Sequence, residues 1–201
     1  MPREVAELFH YDRQFSSKLI CGIDEAGRGP LAGPVSIGAV IMPLDDDNII
    51  VGINDSKKLS PKKRLELYDI IKNRAIAYSC IMLDNEVIDE INILEATKRA
   101  MYNAIDSLSV KPELVLVDAV KLNLDIETQA IIKGDATSYN IAAASIIAKV
   151  TRDKLMDEYD EMYPMYNFKS NKGYGTKDHI EAIKKYGPCP IHRKTFIKNF
   201  L

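Results

Sequence analysis

The sequence predicts an α/β domain in which helices flank a mixed β-sheet, with a small helical extension at the C-terminus. Two short apolar runs, at residues 19–23 and 35–42, are bounded by Gly and Pro and therefore indicate two strands of a hairpin, at about 19–24 and 35–42. Strand and helix patterns alternate along the rest of the chain. Residues 138–159 are so rich in small and apolar side chains that the helix they predict is buried on more than one side.

The 201 residues suffice for one large domain, and 46% apolar and 28% charged residues are typical of a globular chain. We expect residues 1–17 to form a short lead and residues 18–201 a single domain, with the helical extension at about 165–201. The chain contains no run of about eighteen apolar residues that would predict a membrane span. Three scattered cysteines without a Cys-x-x-Cys pair argue against disulfides and zinc, so we expect a cytoplasmic protein.

Charge is segregated along the chain, although the formal net charge is only −2. Residues 54–74 contain seven Lys or Arg against three Asp or Glu, and residues 167–201 contain eight against two. Two basic segments of this kind can form a surface that follows a phosphate backbone. Solvated helix faces explain either segment alone equally well.

The N-terminal half is predicted to contain a lead helix, the hairpin and a third short strand at residues 49–53. Ser60 as N-cap and Pro61 at the first helical position predict a helix that runs to about Arg74. Alternation of apolar and polar residues over 75–83 predicts another strand.

The C-terminal half begins with a predicted long helix at residues 86–108 that breaks near 91–93. The apolar run 114–117 indicates a buried strand. After the long apolar helix, a polar loop is predicted at 164–175, and Gly187 stops a final helix.

Four carboxylates lie where the predicted structure changes: Asp24 and Glu25 end the first strand, Asp118 ends the strand at 114–117, and Asp135 precedes the long helix. If the strands that end at Asp24 and Asp118 are neighbours, their ends bring these acids together. Clustered oxygen ligands without His or Cys suit Mg²⁺ or Mn²⁺, and two such ions can drive phosphodiester hydrolysis. By position alone, Asp118 can also be a turn residue and Asp135 a charge that favours the helix N-terminus.

The turn after the first two acids contains Gly27, Arg28 and Gly29. The glycines let a ligand approach the backbone closely, and the arginine can contact a phosphate. A tight hairpin turn with a surface arginine is the alternative. Ser56 and Lys57 lie in a loop that can bind a flanking phosphate or can simply be solvated.

Ser145, Lys149 and Arg152 share one face of the long helix. They can face the backbone of a substrate or form that helix's solvent stripe. Tyr174 lies between two glycines, from where it can stack on a sugar or base and reach a 2′-hydroxyl, or else close the edge of the core. The three histidines have no metal-ligand spacing, so we expect them to be structural or surface groups.

With these residues the sequence resembles the type 2 ribonuclease H family, bacterial ribonuclease HII. The longest matching motif, at 22–35, is Gly-Ile-Asp-Glu-Ala-Gly-Arg-Gly-Pro-Leu-Ala-Gly-Pro-Val. The other matching motifs lie in order at 55–59, 92–94, 117–119, 133–135, 142–153, 173–176 and 192–193. The resemblance covers residues 19–196.

The resemblance implies a ribonuclease H-like fold. It also implies catalytic and metal-binding roles for Asp24, Glu25, Asp118 and Asp135. By the same resemblance, the turn 27–29 and Tyr174 sense the ribose 2′-hydroxyl at an RNA–DNA junction. The implied reaction is endonucleolytic cleavage of RNA paired to DNA, including single embedded ribonucleotides, which leaves 3′-hydroxyl and 5′-phosphate ends. Ribonuclease HIII resembles this core but carries an additional N-terminal substrate-binding domain, for which we expect no room before Leu19.

Two alternatives come from other classes of function. A non-catalytic module that binds RNA–DNA hybrids needs only the basic segments, although such a module gains nothing from four carboxylates near a polyanion. A two-metal nuclease that acts on DNA alone would cut an all-DNA duplex. We expect a monomeric endonuclease that uses two Mn²⁺ or Mg²⁺ ions and acts on RNA–DNA hybrids and on DNA duplexes with embedded ribonucleotides.

Overall fold

The computed structural model describes the backbone of residues 3–200 and the side chains of residues 5–199. Its centre is a five-stranded sheet with the order β3-β2-β1-β4-β5. The strands are β1 (Ile20–Ala26), β2 (Val35–Ile41), β3 (Ala77–Leu83), β4 (Leu114–Asp118) and β5 (Glu127–Ile131). Because β1 pairs antiparallel with β2 and parallel with β4, the predicted hairpin and the predicted mixed sheet are both confirmed.

Helices lie on both faces of the sheet, and further helices form the C-terminal part of the chain. They are α1 (Arg3–Arg13), α2 (Pro61–Arg74), α3 (Asn85–Ile91), α4 (Ile93–Asp106), α5 (Tyr139–Met162), α6 (Phe168–Asn171), α7 (Lys177–Tyr186) and α8 (Lys194–Ile197). One face packs against α1, α2 and α5, and the other packs against α3 and α4. No helix within the described residues is long and apolar enough to cross a membrane.

Helix α5 lies directly against the two central strands because two glycines remove the side chains between them. A Cβ atom added to Gly22 would lie 2.1 Å from the carbonyl carbon of Asn140. One added to Gly38 would lie 2.3 Å from the carbonyl oxygen of Ala144. Real Cβ atoms do not approach other atoms this closely, so any larger residue at either position would push the helix off the sheet.

Residues 49–53 contain a turn at 51–52 and no strand, so the strand predicted there is wrong. Ile50 and Ile53 are nonetheless buried in the core beneath α5. The amide of Ile50 donates a hydrogen bond to the Tyr139 hydroxyl at 2.8 Å instead of pairing with a strand. The apolar pattern therefore reported burial correctly, and extended pairing was the wrong inference from it.

Helix α2 begins as predicted, because Ser60 caps it and Pro61 is its first residue. The break predicted near residues 91–93 is also confirmed. It lies at Asn92, whose positive φ of 68° separates α3 from α4 and whose side chain accepts from the amides of Leu94 and Glu95.

The C-terminal extension is more structured than predicted. The stretch predicted as a polar loop, 164–175, contains a 3₁₀ turn at Pro164–Tyr166 and the short helix α6, and both bury aromatic side chains. The helix stopped by Gly187 is α7, and it is not the last one, because α8 follows. Asp89 holds the start of α8 by accepting hydrogen bonds from the amides of Lys194 and Thr195.

Candidate active site

Three carboxylates converge at one end of the central strands. Asp24 and Asp118 come together because β1 and β4 are parallel neighbours, with Ile23 opposite Val117. Asp135 approaches from the 3₁₀ turn that precedes α5. One carboxylate oxygen from each of the three acids lies within 4.8 Å of the others. Oxygen ligands at this spacing are suited to a hard divalent cation.

A tight turn sets the position of Asp118 within this group. The amide of Gly134 donates a hydrogen bond to Asp118 Oδ1 at 2.7 Å. Lys133, just before it, has a positive φ of 56°, which lets the chain turn back toward β4. The turn that carries Asp135 is thereby fastened to the strand that carries Asp118.

Glu25 lies beside the three acids and outside their group. Successive side chains of a strand point to opposite faces, so Glu25 leaves β1 on the other side from Asp24. Its Oε1 atom lies 3.5 Å from Arg28 Nη1. Its Oε2 atom is buried and, within the described part of the chain, has no hydrogen-bond partner. An unpartnered buried carboxylate oxygen is costly, and a bound cation would satisfy it.

Asp24, Asp135 and Glu25 hold protons more tightly than free carboxyls do, because their pKa values are raised. Burial, reinforced by Glu25 and Asp118, places the pKa of Asp24 well above its usual range. Burial also raises the pKa of Asp135, with further contributions from Asp55 and Asp118. Burial raises the pKa of Glu25 against the opposing charge of Arg28. The fold therefore concentrates negative charge that the neighbouring cations offset only in part.

Lys57 is the side chain that pairs with this charge. Its Nζ atom lies 3.6 Å from Asp135 Oδ2, while 78% of its side chain is exposed. Burial alone would lower the pKa of Lys57, but the carboxylates of Asp135, Asp24 and Asp55 outweigh it and raise that pKa. Asp55 is not among the site residues predicted from the sequence. It accepts a hydrogen bond from the Lys57 amide at 2.9 Å and so shapes the loop.

A cleft of about 270 Å³ opens beside Asp24 and Glu25. The structure brings seven of the predicted substrate-binding residues to its wall: Gly27, Arg28, Gly29, Ser56, Lys57, Lys149 and Tyr174. Tyr174 is 45% exposed, and its ring lies against the turn, since a Cβ atom on Gly29 would be 3.9 Å from its Cε1 atom.

Ser145 and Arg152 do not reach the cleft surface. Both are buried, so the idea that they form a solvent stripe is wrong. The Ser145 hydroxyl accepts from the Ser56 amide at 3.3 Å and donates to a carbonyl of its own helix. Arg152 donates through all three guanidinium nitrogens to backbone carbonyl oxygens, those of Pro34, Lys172 and Ala32. Lys149, on the same helix face, pairs with Asp153 at 2.7 Å.

A second buried arginine, Arg193, holds the turn that follows the acids. It donates to the carbonyl oxygens of Gly27 at 2.6 Å, Arg28 at 2.8 Å and Gly33 at 3.0 Å. Sequence reasoning gave Arg193 no role, although it belongs to the matching motif at 192–193. Gly27 fits between the two arginines because it lacks a side chain, since a Cβ atom there would lie 2.1 Å from Arg152 Nε.

Solved structures share this fold. The crystal structure of ribonuclease H2 from Pyrococcus horikoshii has a TM-score of 0.76, with 29% identity over 90% of this chain and 96% of that chain. Ribonuclease HII of Archaeoglobus fulgidus, solved in a complex with PCNA, also has a TM-score of 0.76, with 27% identity over 90% of this chain and 96% of its own. A ribonuclease HIII described in complex with Mn²⁺ shares the fold, with a TM-score of 0.64 and 19% identity over 88% of this chain and 65% of that one. The fold and the acidic group thus define a nuclease of the ribonuclease H class.

Sequence comparison is more specific than the fold. The Ribonuclease HII family model matches residues 21–199. Ribonuclease HII of Caldicellulosiruptor bescii is 57% identical over 185 residues, which are 92% of this chain and 89% of that one. Ribonuclease HII of Acetivibrio thermocellus is also 57% identical over 185 residues, 92% of this chain and 72% of its own. The chain belongs to the ribonuclease HII family, whose members are endonucleases of RNA–DNA hybrids, and the predicted resemblance is confirmed.

Proposed function

We propose that this chain hydrolyses the RNA strand of RNA–DNA hybrids and also incises at single ribonucleotides embedded in duplex DNA. We further propose catalysis with two divalent cations that leaves 5′-phosphate and 3′-hydroxyl ends. One observation supports this most directly: the carboxylates of Asp24, Asp118 and Asp135 lie within 4.8 Å of one another, and Asp24 also borders a cleft lined by the turn 27–29 and Tyr174.

The residues that would hold the cations are Asp24, Glu25, Asp118 and Asp135, with Mn²⁺ or Mg²⁺ as the ions. The donor set fits such ions, because it consists of carboxylate oxygens and includes the buried, unpartnered Oε2 atom of Glu25. When bound, two divalent ions supply an activated water and stabilise the leaving oxygen in phosphodiester hydrolysis. Lys57 would then turn from Asp135 to a phosphate, which its high exposure permits.

The turn 27–29 supplies backbone donors for a ribose 2′-hydroxyl in this proposal. Arg193 draws the carbonyl oxygens of Gly27 and Arg28 inward. In a trans peptide the N–H points opposite to the C=O of the same unit. The amides of Arg28 and Gly29 are therefore directed away from Arg193, on the turn that lines the cleft. A 2′-hydroxyl placed there distinguishes RNA from DNA, because deoxyribose has no oxygen at the 2′-position for these amides to bind.

Tyr174 completes the recognition of the sugar. Its exposed ring lies next to Gly29, where it can stack on a sugar and offer its hydroxyl to the 2′-position. Arg28 and Lys149 line the same cleft and would contact phosphates. We assign Ser145 and Arg152 a positioning role, since both are buried and bonded to backbone.

The direct test uses three duplexes of the same sequence: an all-DNA duplex, a DNA duplex with one embedded ribonucleotide, and an RNA–DNA hybrid. Each is incubated with Mn²⁺ or with Mg²⁺, and the ends of the products are determined. We expect cleavage of the second and third duplexes and none of the first. Binding of a hybrid without cleavage under either ion, by a protein shown to be folded, would favour the non-catalytic module. Cleavage of the all-DNA duplex would favour the DNA nuclease.

A further inference from the structure

Two buried histidines lie behind Tyr174, outside the group of acids. His179 of α7 and His192, before α8, are 0% and 1% exposed. Their Nε2 atoms are 3.0 Å apart. The aromatic rings of Tyr166 and Phe168 pack around the pair. The expectation that the histidines are structural or surface groups leaves open why two imidazoles are joined in this way.

The partners at the two ends of the pair decide where the ring protons lie. The shortest contact of His192 Nδ1 is with the Cys189 amide, which donates to it at 2.9 Å, while the Cys189 thiol lies at 3.1 Å and the Cys189 carbonyl oxygen at 3.3 Å. We therefore assign that nitrogen a lone pair. His179 Nδ1 lies 2.8 Å from the carbonyl oxygen of Tyr174, which can only accept, so that nitrogen carries a proton. The one proton left between the rings is on His192 Nε2 and is donated to His179. Both imidazoles are then neutral. The hydrogen bonds all run in one direction, from the Cys189 amide through His192 and His179 to the Tyr174 carbonyl oxygen.

The neutral state agrees with the surroundings of the pair. Burial lowers the pKa of His192 to about 4, with His179 contributing in the same direction. Burial also lowers the pKa of His179, against the opposing effect of the Tyr174 carbonyl. The pair therefore keeps this arrangement of protons at neutral pH.

The chain of hydrogen bonds ends on the residue that carries the exposed ring of the cleft. Tyr174 stands between Gly173 and Gly175, and its amide donates to the carbonyl oxygen of Asn171 at 2.9 Å. Its carbonyl oxygen accepts from both His179 and the amide of Thr176, the latter at 2.8 Å. The bond from His179 thus connects this peptide to the packed interior of the extension.

We propose that His179, oriented by His192, is a positioning residue for Tyr174 in the recognition of a single ribonucleotide. The proposal rests on the function proposed above, in which Tyr174 contacts the ribose. Neither histidine touches the substrate. Their effect is to fix the carbonyl group of Tyr174, which restricts the backbone conformation and holds the ring where it meets the sugar beside Gly29.

The test compares two amide replacements of His179. In His179→Asn the side-chain amide nitrogen lies near the position of Nδ1 and can still donate to the Tyr174 carbonyl. In His179→Gln it lies near the position of Nε2 and cannot. On a duplex with one embedded ribonucleotide, we expect His179→Gln to raise KM about tenfold with little change in kcat. We expect His179→Asn to stay within about threefold of the unmodified chain. On a long RNA–DNA hybrid, we expect a much smaller rise in KM for His179→Gln. His10→Gln, at an exposed position, is the control.

Hydrogen exchange of the Thr176 amide gives a second measurement that needs no cleavage. We expect this amide to exchange about tenfold faster in His179→Gln and at an unchanged rate in His179→Asn. Equal behaviour of the two variants in exchange would overturn the positioning role. A difference in exchange with equal KM values would also overturn it, because Tyr174 would then be fixed without effect on recognition. If the unmodified chain does not cut at an embedded ribonucleotide, the proposed function fails on its own account, and the exchange rates still decide whether His179 holds Tyr174.

Discussion

Arg193 Nη2 lies 2.6 Å from the carbonyl oxygen of Gly27, so a residue near the C-terminus holds the turn that follows Asp24 and Glu25. The same guanidinium also bonds to Arg28 and Gly33, and Arg152 holds the next stretch of the loop. The C-terminal extension is therefore part of the cleft's construction.

Replacing Arg193 by Lys should damage the cleft while keeping the positive charge. An ammonium group cannot match the planar fork that reaches three carbonyl oxygens. At least one buried carbonyl then loses its donor, which costs about 1–3 kcal/mol of unfolding free energy. We expect chemical denaturation to show this loss and KM for a single-ribonucleotide duplex to rise. Lys194→Ala, at the exposed neighbouring position, should leave both values unchanged. Unaltered KM in a folded Arg193→Lys variant would speak against this role.

Asp24→Asn should abolish turnover and leave hybrid binding intact or tighter. In the proposed function, the substitution removes a metal ligand and also a negative charge that faces the substrate phosphates. Cleavage assays with Mn²⁺ and Mg²⁺ measure the first effect, and fluorescence anisotropy in EDTA measures the second. Asp106→Asn, at an exposed position on α4, is the matched control. Surviving activity would show that the metal site is wrongly assigned.

Without metal, stability should fall as pH rises. The pKa values of Asp24, Glu25 and Asp135 are raised in the folded chain, mainly by burial. Between the ordinary carboxyl pKa and these raised values, the folded chain holds protons that the unfolded chain has released. The free energy of unfolding therefore decreases with pH across that range. We expect Tm in EDTA to decline from about pH 4 upward, with Asp24→Asn flattening the decline.

Divalent ions should reverse this loss at neutral pH. A cation that binds only the folded chain adds about 2.7 kcal/mol when its free concentration is one hundred times Kd. We expect Mn²⁺ and Mg²⁺ to raise Tm of the unmodified chain at pH 7 and to have much less effect on Asp24→Asn. Equal shifts in both proteins would place the ions elsewhere.

Tyr174→Ala should impair cleavage at single ribonucleotides more than cleavage of long hybrids. A long hybrid offers many ribose hydroxyls and phosphate contacts, whereas a single ribonucleotide depends on recognition of one sugar. Comparing kcat/KM for the two substrates measures the difference, and Tyr174→Phe separates the hydroxyl from the ring. Tyr186→Ala, at a residue that is 52% exposed and away from the cleft, should change neither. Equal losses on both substrates would leave Tyr174 a packing role.

Asp12 of α1 should make a pH-dependent contribution of its own. Its Oδ2 atom accepts from the backbone and side-chain amides of Asn140, each at 2.8 Å. Burial raises the pKa of Asp12 to about 6, against the lowering effect of these bonds. Stability should fall by up to about 3 kcal/mol as pH rises from about 4 through 6. Denaturation of Asp12→Asn across this range should show a smaller slope. Asp12→Ala should lose about 1–3 kcal/mol at pH 7 because the Asn140 donors lose their acceptor.

The strand ends could be predicted because their signals are local. An apolar run that stops at Asp24 or Asp118 shows both the burial and the point where it ceases, and parallel pairing then brings the acids together. The cap at Ser60 and the break at Asn92 are likewise indicated by residues that are adjacent in sequence. The prediction of a strand at 49–53 is wrong because apolar spacing indicates burial and does not indicate strand pairing.

The two buried arginines could not be predicted in the same way. Their partners are backbone carbonyls far away in sequence, such as Arg152 with Pro34 and Arg193 with Gly27. A carbonyl belongs to every residue, so no side-chain pattern marks the ones that will be bonded. Helical spacing placed Arg152 on the face of Lys149 correctly, but it could not show that the guanidinium turns inward.

The contact of α5 with Gly22 and Gly38 has a mechanical consequence. Gly38 lies opposite Asp24 in the β1–β2 ladder, so the helix backbone meets the sheet next to this acid. Strand and helix can neither slide past each other nor approach more closely there without steric overlap, and we expect them to move as one rigid body. Adjustment to different substrates then falls to exposed side chains around the cleft, such as Lys57. The two central strands and α5 thus form the fixed part of the site.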